Sequence, residues 1–153
     1  MERTLRISKI REGIVIDHIP GGKSLKVLSV LNIGEKSGYT VSVAMFVQSN
    51  RMKTKDVLKI ESRFLEKSEL DRIALIAPDA TISVIKNYEI SEKFTVEIPK
   101  RILGILKCNN QNCITNGREP IRPEFELLSR SPLVIRCIFC ERNMGESEIH
   151  SSL

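Results

Sequence analysis

Tryptophan is absent, histidine occurs twice, and aromatic residues make up only 5% of the 153-residue chain. So small an aromatic stock leaves few platforms on which unstacked bases could rest, which counts against a binder of single-stranded nucleic acid. No apolar run reaches the roughly eighteen residues that a helix needs to cross a bilayer. The opening stretch, MERTLRISKIREG, has neither an apolar leader core nor a small-residue cleavage site, and reads as part of a mature cytoplasmic protein. The formal net charge is +5, yet residues 1–99 hold 16 Lys/Arg against 13 Asp/Glu and residues 100–153 hold 8 against 6, so neither part is a basic block. A small anionic ligand fits this balance as well as a polymer does. Internal repeats and low-complexity tracts are missing too, and the first 107 residues contain no cysteine.

What is present is an ordinary globular composition, 41% hydrophobic and 28% charged. GIVIDHI at 13–19 is short and β-branched and predicts a strand ending at Pro20–Gly21–Gly22. The following Gly22–Lys23–Ser24 is not a phosphate loop, because Asp17 stands where that motif needs a glycine. SLKVLSVLNIG predicts a helix capped at Ser24, with Val27, Leu28 and Leu31 on one face and Gly34 at its end; its β-branched content leaves a strand as competitor. Strands follow at 39–47 and 56–61, then a helix with Ser68 as N-cap and Leu70, Ile73, Ala74 and Ala77 on one face, stopped by Pro78. TISVIK at 81–86 and YEISEKFTVEI at 88–98 predict two more strands turning near Asn87. This order gives an α+β fold: a ferredoxin-like antiparallel sheet domain with two helices over residues 1–99, then a small β-rich four-cysteine domain over 100–153, with strands at 125–129 and 133–137.

All four cysteines fall in the last 46 residues as two close pairs, Cys108 with Cys113 and Cys137 with Cys140. Disulfides are disfavoured in a cytosolic chain, a redox role for CIFC lacks a strand-to-helix setting, and unconnected thiols seldom arrive as two pairs. The spacing therefore points to a four-thiolate zinc site, in which each turn aims two sulfurs at one ion and the metal supplies folding energy that a segment of about fifty residues lacks. Four protein ligands leave no open position, so such a metal is structural. Asn109, Asn110, Asn112 and Gly117 suit the turns around the sulfurs, and His150 reads as a solvated terminal residue.

No polar set in the first domain forms a catalytic constellation. Asp17 and His18 are adjacent, so on a regular strand they point to opposite faces. His18, Lys59 and Lys93 could nevertheless converge at one edge of the sheet, where cations hold phosphate oxygens while Asp17 accepts from a ribose hydroxyl. Each of these residues taken alone is more often an ordinary polar strand residue.

GIVIDHIPGG, KVLSVLNI, TKDVLKIE, IALIAPDATISVIKNYEI and CNNQNC with CIFCE together resemble the regulatory chain of aspartate carbamoyltransferase, from about residue 5 to about residue 148. VIDHIP, APDAT, NYEI and the cysteine spacing make the likeness specific. The resemblance implies a non-catalytic allosteric subunit of pyrimidine biosynthesis whose first domain binds CTP, UTP or ATP and pairs with a second regulatory chain. It implies further that the zinc domain grips the catalytic chain, in an assembly of two catalytic trimers and three regulatory dimers. Carried over by position, Asp17 binds the ribose and His18 and Lys93 the triphosphate. Lys59 reaches the sugar or base with Lys55 close by, and backbone groups of Ile10 and Tyr88 read the base edge, flanked by Val15 and Ile90. Asn110, Asn112, Glu141 and Arg142 match positions that contact catalytic chains. The chain departs from the family pattern at Ser8, Lys9, Ser83 and Ile138. The alternative, a nucleic-acid-binding zinc protein, explains the charge and the thiols but not Asp17 and His18. A stand-alone nucleotide-dependent enzyme lacks a catalytic set.

Overall fold

The computed structural model describes residues 9–153, so Ser8 lies outside the described residues. The first part runs β1 (Gly13–Pro20), α1 (Ser24–Val30), β2 (Val41–Ser49), β3 (Lys53–Glu61), α2 (Lys67–Ile76), β4 (Thr81–Lys86) and β5 (Glu89–Thr95). The second part contains β6 (Arg101–Leu103), a 3-10 turn (Ile114–Asn116), β7 (Glu124–Arg130), β8 (Leu133–Cys137), β9 (Asn143–Gly145) and α3 (Glu146–Ser152). The first five strands form one antiparallel sheet in the order β2-β3-β1-β4-β5, and the last four form another in the order β6-β7-β8-β9. This is the predicted ferredoxin-like domain, extended by β5, followed by a β-rich cysteine module.

Alternation decides which face is covered. Ile14, Ile16, Leu58, Ile60 and Ile82 are all but inaccessible, and they pack with Val27 and Leu31 of the α1 segment and Ile73, Ala74 and Ala77 of the α2 segment. Each such side chain contributes about 1.5–3 kcal/mol on burial. The intervening residues Val15, Asp17 and Lys59 are only half-buried, which leaves the other face of the sheet open. Gly13 is held at φ +143° where a Cβ would lie 2.1 Å from the Ile60 carbonyl oxygen, so β1 approaches β3 there only because the residue has no side chain.

Several local expectations are corrected. The segment after Gly22 is a helix, but its N-cap is Lys23, and the buried Ser24 hydroxyl does not cap it. Helix α2 starts two residues earlier than a Ser68 cap implies: Glu66 caps it, and the Glu69 side chain accepts the Glu66 N–H at 3.1 Å, a reciprocal box that leaves Ser68 inside the helix. The β4–β5 hairpin turns on Asn87 and Tyr88, with φ of 53° and 65°, the left-handed pair that matches strand twist. In the second module β6, β9 and α3 are additions to the two predicted strands, each too short for a periodic signal.

The two modules share one core. Leu106, Phe125, Leu133, Ile135 and Ile149 belong to the same buried cluster as Ile73 and Ile76. His150 is therefore not a solvated terminal residue: half-buried on α3, it places Nε2 3.1 Å from the Leu75 carbonyl oxygen of α2. Burial lowers its pKa, which the Leu75 contact partly offsets.

Candidate functional site

The open face of the first sheet carries a cross-strand row, Ser42–Lys59–Val15–Ser83–Lys93, in which each residue lies directly opposite the next. Opposed residues share a face, so Lys59 and Lys93 project on the same side, away from the helices. Three strand spacings separate them, about 14 Å. The two lysines thus flank the face rather than meeting at one edge, because β1 and β4 lie between their strands.

Toward the end of β1 the alternation is broken. A register shift between Ile16 and Ile19 coincides with a φ of 60° at His18. This bulge overturns the expectation that Asp17 and His18 point to opposite faces. The His18 N–H donates to Asp17 Oδ1 at 2.6 Å, and His18 Nδ1 lies 3.1 Å from Thr81 Oγ1, on the residue opposite Asp17. Lys55 Nζ reaches the Asp17 carboxylate at 2.9 and 3.1 Å. Asp17, His18, Lys55 and Thr81 therefore form one polar cluster beside the lysine row. Thr81 escaped the sequence reading, although its place one register step from Asp17 follows once β1 and β4 are paired.

On the side of the row away from this cluster lies an open slot of about 300 Å³, lined by Ile10, Val15, Lys59, Ile85 and Ile90 together with Lys9 and Tyr88. Burial lowers the Lys59 pKa, which Glu61 partly offsets. The Tyr88 N–H donates to the Arg11 carbonyl at 3.0 Å, so Tyr88 offers a ligand its carbonyl and not its N–H. A larger groove of about 380 Å³ lies between Phe64, Leu70, Val84 and Phe94 on the helix side, away from the polar cluster and the lysine row.

Asp56 is a second residue missed at first reading. Its side chain is inaccessible, and it accepts N–H groups from Gly22 at 3.0 and 3.1 Å, Ser24 at 3.0 Å and Phe46 at 3.0 Å. Burial alone would raise its pKa; the Ser24 side chain and the N–H groups of Phe46, Gly22 and Ser24 outweigh this and bring it below the ordinary value. The Ser24 hydroxyl forms no hydrogen bond of good geometry, so the main-chain donors are the firmer contribution. The strand alternation that buries Leu58 and Ile60 also puts Asp56 on the core side, and that was the available signal.

In the second module all four sulfurs lie within 4.8 Å of one another. Cys108 to Cys140 is 3.6 Å and Cys113 to Cys137 is 3.7 Å. A tetrahedral zinc ion with bonds of about 2.3 Å requires sulfur–sulfur edges of about 3.8 Å, so the donor set fits such an ion. The turns that aim the sulfurs are tight. The Glu141 N–H donates to the Cys137 carbonyl at 2.9 Å, and the Asn116 side chain donates to the Cys108 and Asn110 carbonyls at 2.9 and 2.8 Å. Burial pushes the Cys108 thiol up to about 12 and raises Cys137 as well. Burial acts the same way on Cys140, but the Arg142 main chain and the Asn110 side chain bring it down to about 6. Buried thiols of this kind become thiolates when a bound cation balances their charge.

A sheet domain with an open cationic face, joined through one core to a four-thiol centre, defines a two-module, metal-binding protein. The family model for the aspartate carbamoyltransferase regulatory chain, allosteric domain, matches residues 5–97, and the model for its metal binding domain matches residues 100–150. The chain is 65% identical over 149 residues to the aspartate carbamoyltransferase regulatory chain of Thermoplasma acidophilum, covering 97% of this chain and 99% of that one. It is 51% identical over 150 residues to the Pyrococcus furiosus regulatory chain, covering 97% and 98% respectively. The chain belongs to the aspartate carbamoyltransferase regulatory chain family. It is thus a regulatory, non-catalytic component of pyrimidine biosynthesis with a metal-binding module. Among the described residues no helix is long and apolar enough to cross a membrane.

Proposed function

We propose that residues 1–99 form a nucleotide-effector and dimerisation domain, and that residues 100–153 form a zinc domain that holds the catalytic chain in the cytoplasm. The observation that carries this reading is the open sheet face, where the lysine row lies between an apolar slot on one side and the Asp17–His18–Lys55 cluster on the other. The slot of Ile10, Val15, Tyr88 and Ile90 receives the base of CTP, UTP or ATP. Lys59 reaches the sugar or base, Asp17 accepts from the ribose, and His18 and Lys93 hold the triphosphate, with Lys55 released from Asp17 to assist.

Zinc held by Cys108, Cys113, Cys137 and Cys140 is structural: it fixes two turns and leaves no coordination position for a substrate. Beside it Asn112, Glu141 and Arg142 are exposed, and so are the apolar Ile114 and Phe139, a polar rim around an apolar centre of the kind that docks a protein. Strand β2 is an edge strand with exposed Val43, Met45 and Phe46, which suits pairing with a second regulatory chain. Dimers of this kind bridging two catalytic trimers give a dodecamer with three regulatory dimers.

A nucleotide acts on the distant active site only by its differential affinity for two quaternary arrangements. A tenfold preference corresponds to about 1.4 kcal/mol, within reach of a few altered contacts. In this reading pyrimidine nucleotides favour the less active arrangement and ATP competes with them. Aspartate saturation curves of the complete assembly, with and without each nucleotide, test it; curves that no nucleotide moves would refute it.

A further inference from the structure

The slot beside the lysine row has a rim that the effector reading leaves without a role. Lys9 lines it together with Lys59, whereas Lys55, Asp17 and His18 lie on the opposite side of the row. No Asp or Glu is among the residues that line the slot, and its walls are the apolar side chains of Ile10, Val15, Ile85 and Ile90. Lysine ammonium groups only donate hydrogen bonds. A base edge turned toward the Lys9 ammonium is matched only if it accepts.

Bases differ in what they can accept. Cytosine and uracil each carry a ring carbonyl oxygen, and adenine carries none. A main-chain carbonyl, such as that of Tyr88, accepts the exocyclic amino group of adenine and of cytosine alike, and so does not separate purine from pyrimidine. An ammonium group does separate them: it pairs with the carbonyl oxygen, and next to adenine it faces either a weaker ring nitrogen or another donor. The apolar walls offer a base no hydrogen bond of their own, so the rim ammonium is what distinguishes one base from another.

We infer that Lys9 is a specificity-determining residue of the base slot, favouring nucleotides whose base carries a ring carbonyl oxygen, CTP and UTP, over ATP. This rests on the effector reading of the same face. Lys9 is exposed, so its replacement leaves the fold intact. The experiment is calorimetric titration of the full chain with CTP, UTP and ATP, and with cytidine and adenosine, in the unaltered protein and in Lys9→Met. The expected result is a loss of about tenfold in CTP and UTP affinity with less than about a twofold change for ATP, and the same shift in the ratio of cytidine to adenosine. An equal loss for all three triphosphates with no change for the nucleosides would place Lys9 on the phosphates and overturn the inference. So would unchanged affinities throughout. Failure of the unaltered chain to bind any nucleotide would instead remove the effector reading itself, and the inference with it.

Discussion

Replacing Asp56 with Ala tests the reasoning about buried charge most sharply. The carboxylate is the common acceptor for N–H groups from the turn after β1, the start of α1 and Phe46 of β2, where the register against β3 shifts between Ala44 and Val47. Hydrogen bonds to a charged acceptor are each worth about 1.5–3 kcal/mol, and they are not additive. Its loss leaves three main-chain donors unpaired, each costing about 1–3 kcal/mol when buried, and we expect Asp56→Ala to cost about 3–5 kcal/mol in all. Against a total stability of about 5–15 kcal/mol this is a large fraction, so urea midpoints of the unaltered and variant chains should separate clearly. The pH dependence has a definite sign. The folded pKa lies below the unfolded value of about 3.9, so the stabilisation is fully present above about pH 4 and is lost as pH falls through the folded pKa. The gap between the two chains should therefore narrow as pH falls below about 4 and through the folded pKa. A difference under about 1 kcal/mol at pH 7, or a gap that persists undiminished in acid, would refute the account.

Lys93→Ala should weaken triphosphates much more than nucleosides, because only the former use its charge; calorimetry that finds equal losses contradicts the assignment. Cys137→Ser should lower bound zinc, measured by metal analysis, and release the chain from the catalytic trimer on gel filtration, while nucleotide binding by the first domain persists. Met45→Asp places a charge on the exposed edge strand and should shift the isolated chain from dimer to monomer in sedimentation, with the zinc content unchanged.

The sheet domain was legible because its strands and helices are long enough for period to show: Ile14, Ile16, Leu58 and Ile60 alternate, and Ile73, Ala74 and Ala77 recur at helical spacing. The metal centre was legible because two close cysteine pairs have few other uses, and the structure brings all four sulfurs together. What sequence hid was non-local or irregular. The bulge at His18 has no signature in VIDHIP, yet it sets Asp17 and His18 in one cluster. Glu66 and Glu69 formed a cap that the more usual Ser68 obscured. His150 looked solvated because nothing in the last residues announces the helix that carries it against Leu75. Asp56 was visible in principle, as an acid on the buried side of an alternating strand.

The uninterrupted apolar interior beneath α2 and α3 has a mechanical consequence. Swinging the cysteine module away from the sheet would wet Ile149 and the residues it rests on, and would leave the Leu75 carbonyl without its imidazole. A hinge there is therefore stiff, and the chain behaves as one lever. Under the proposed function, a small displacement of the sheet face would be handed to the far tip as rotation of the whole arm instead of being absorbed midway.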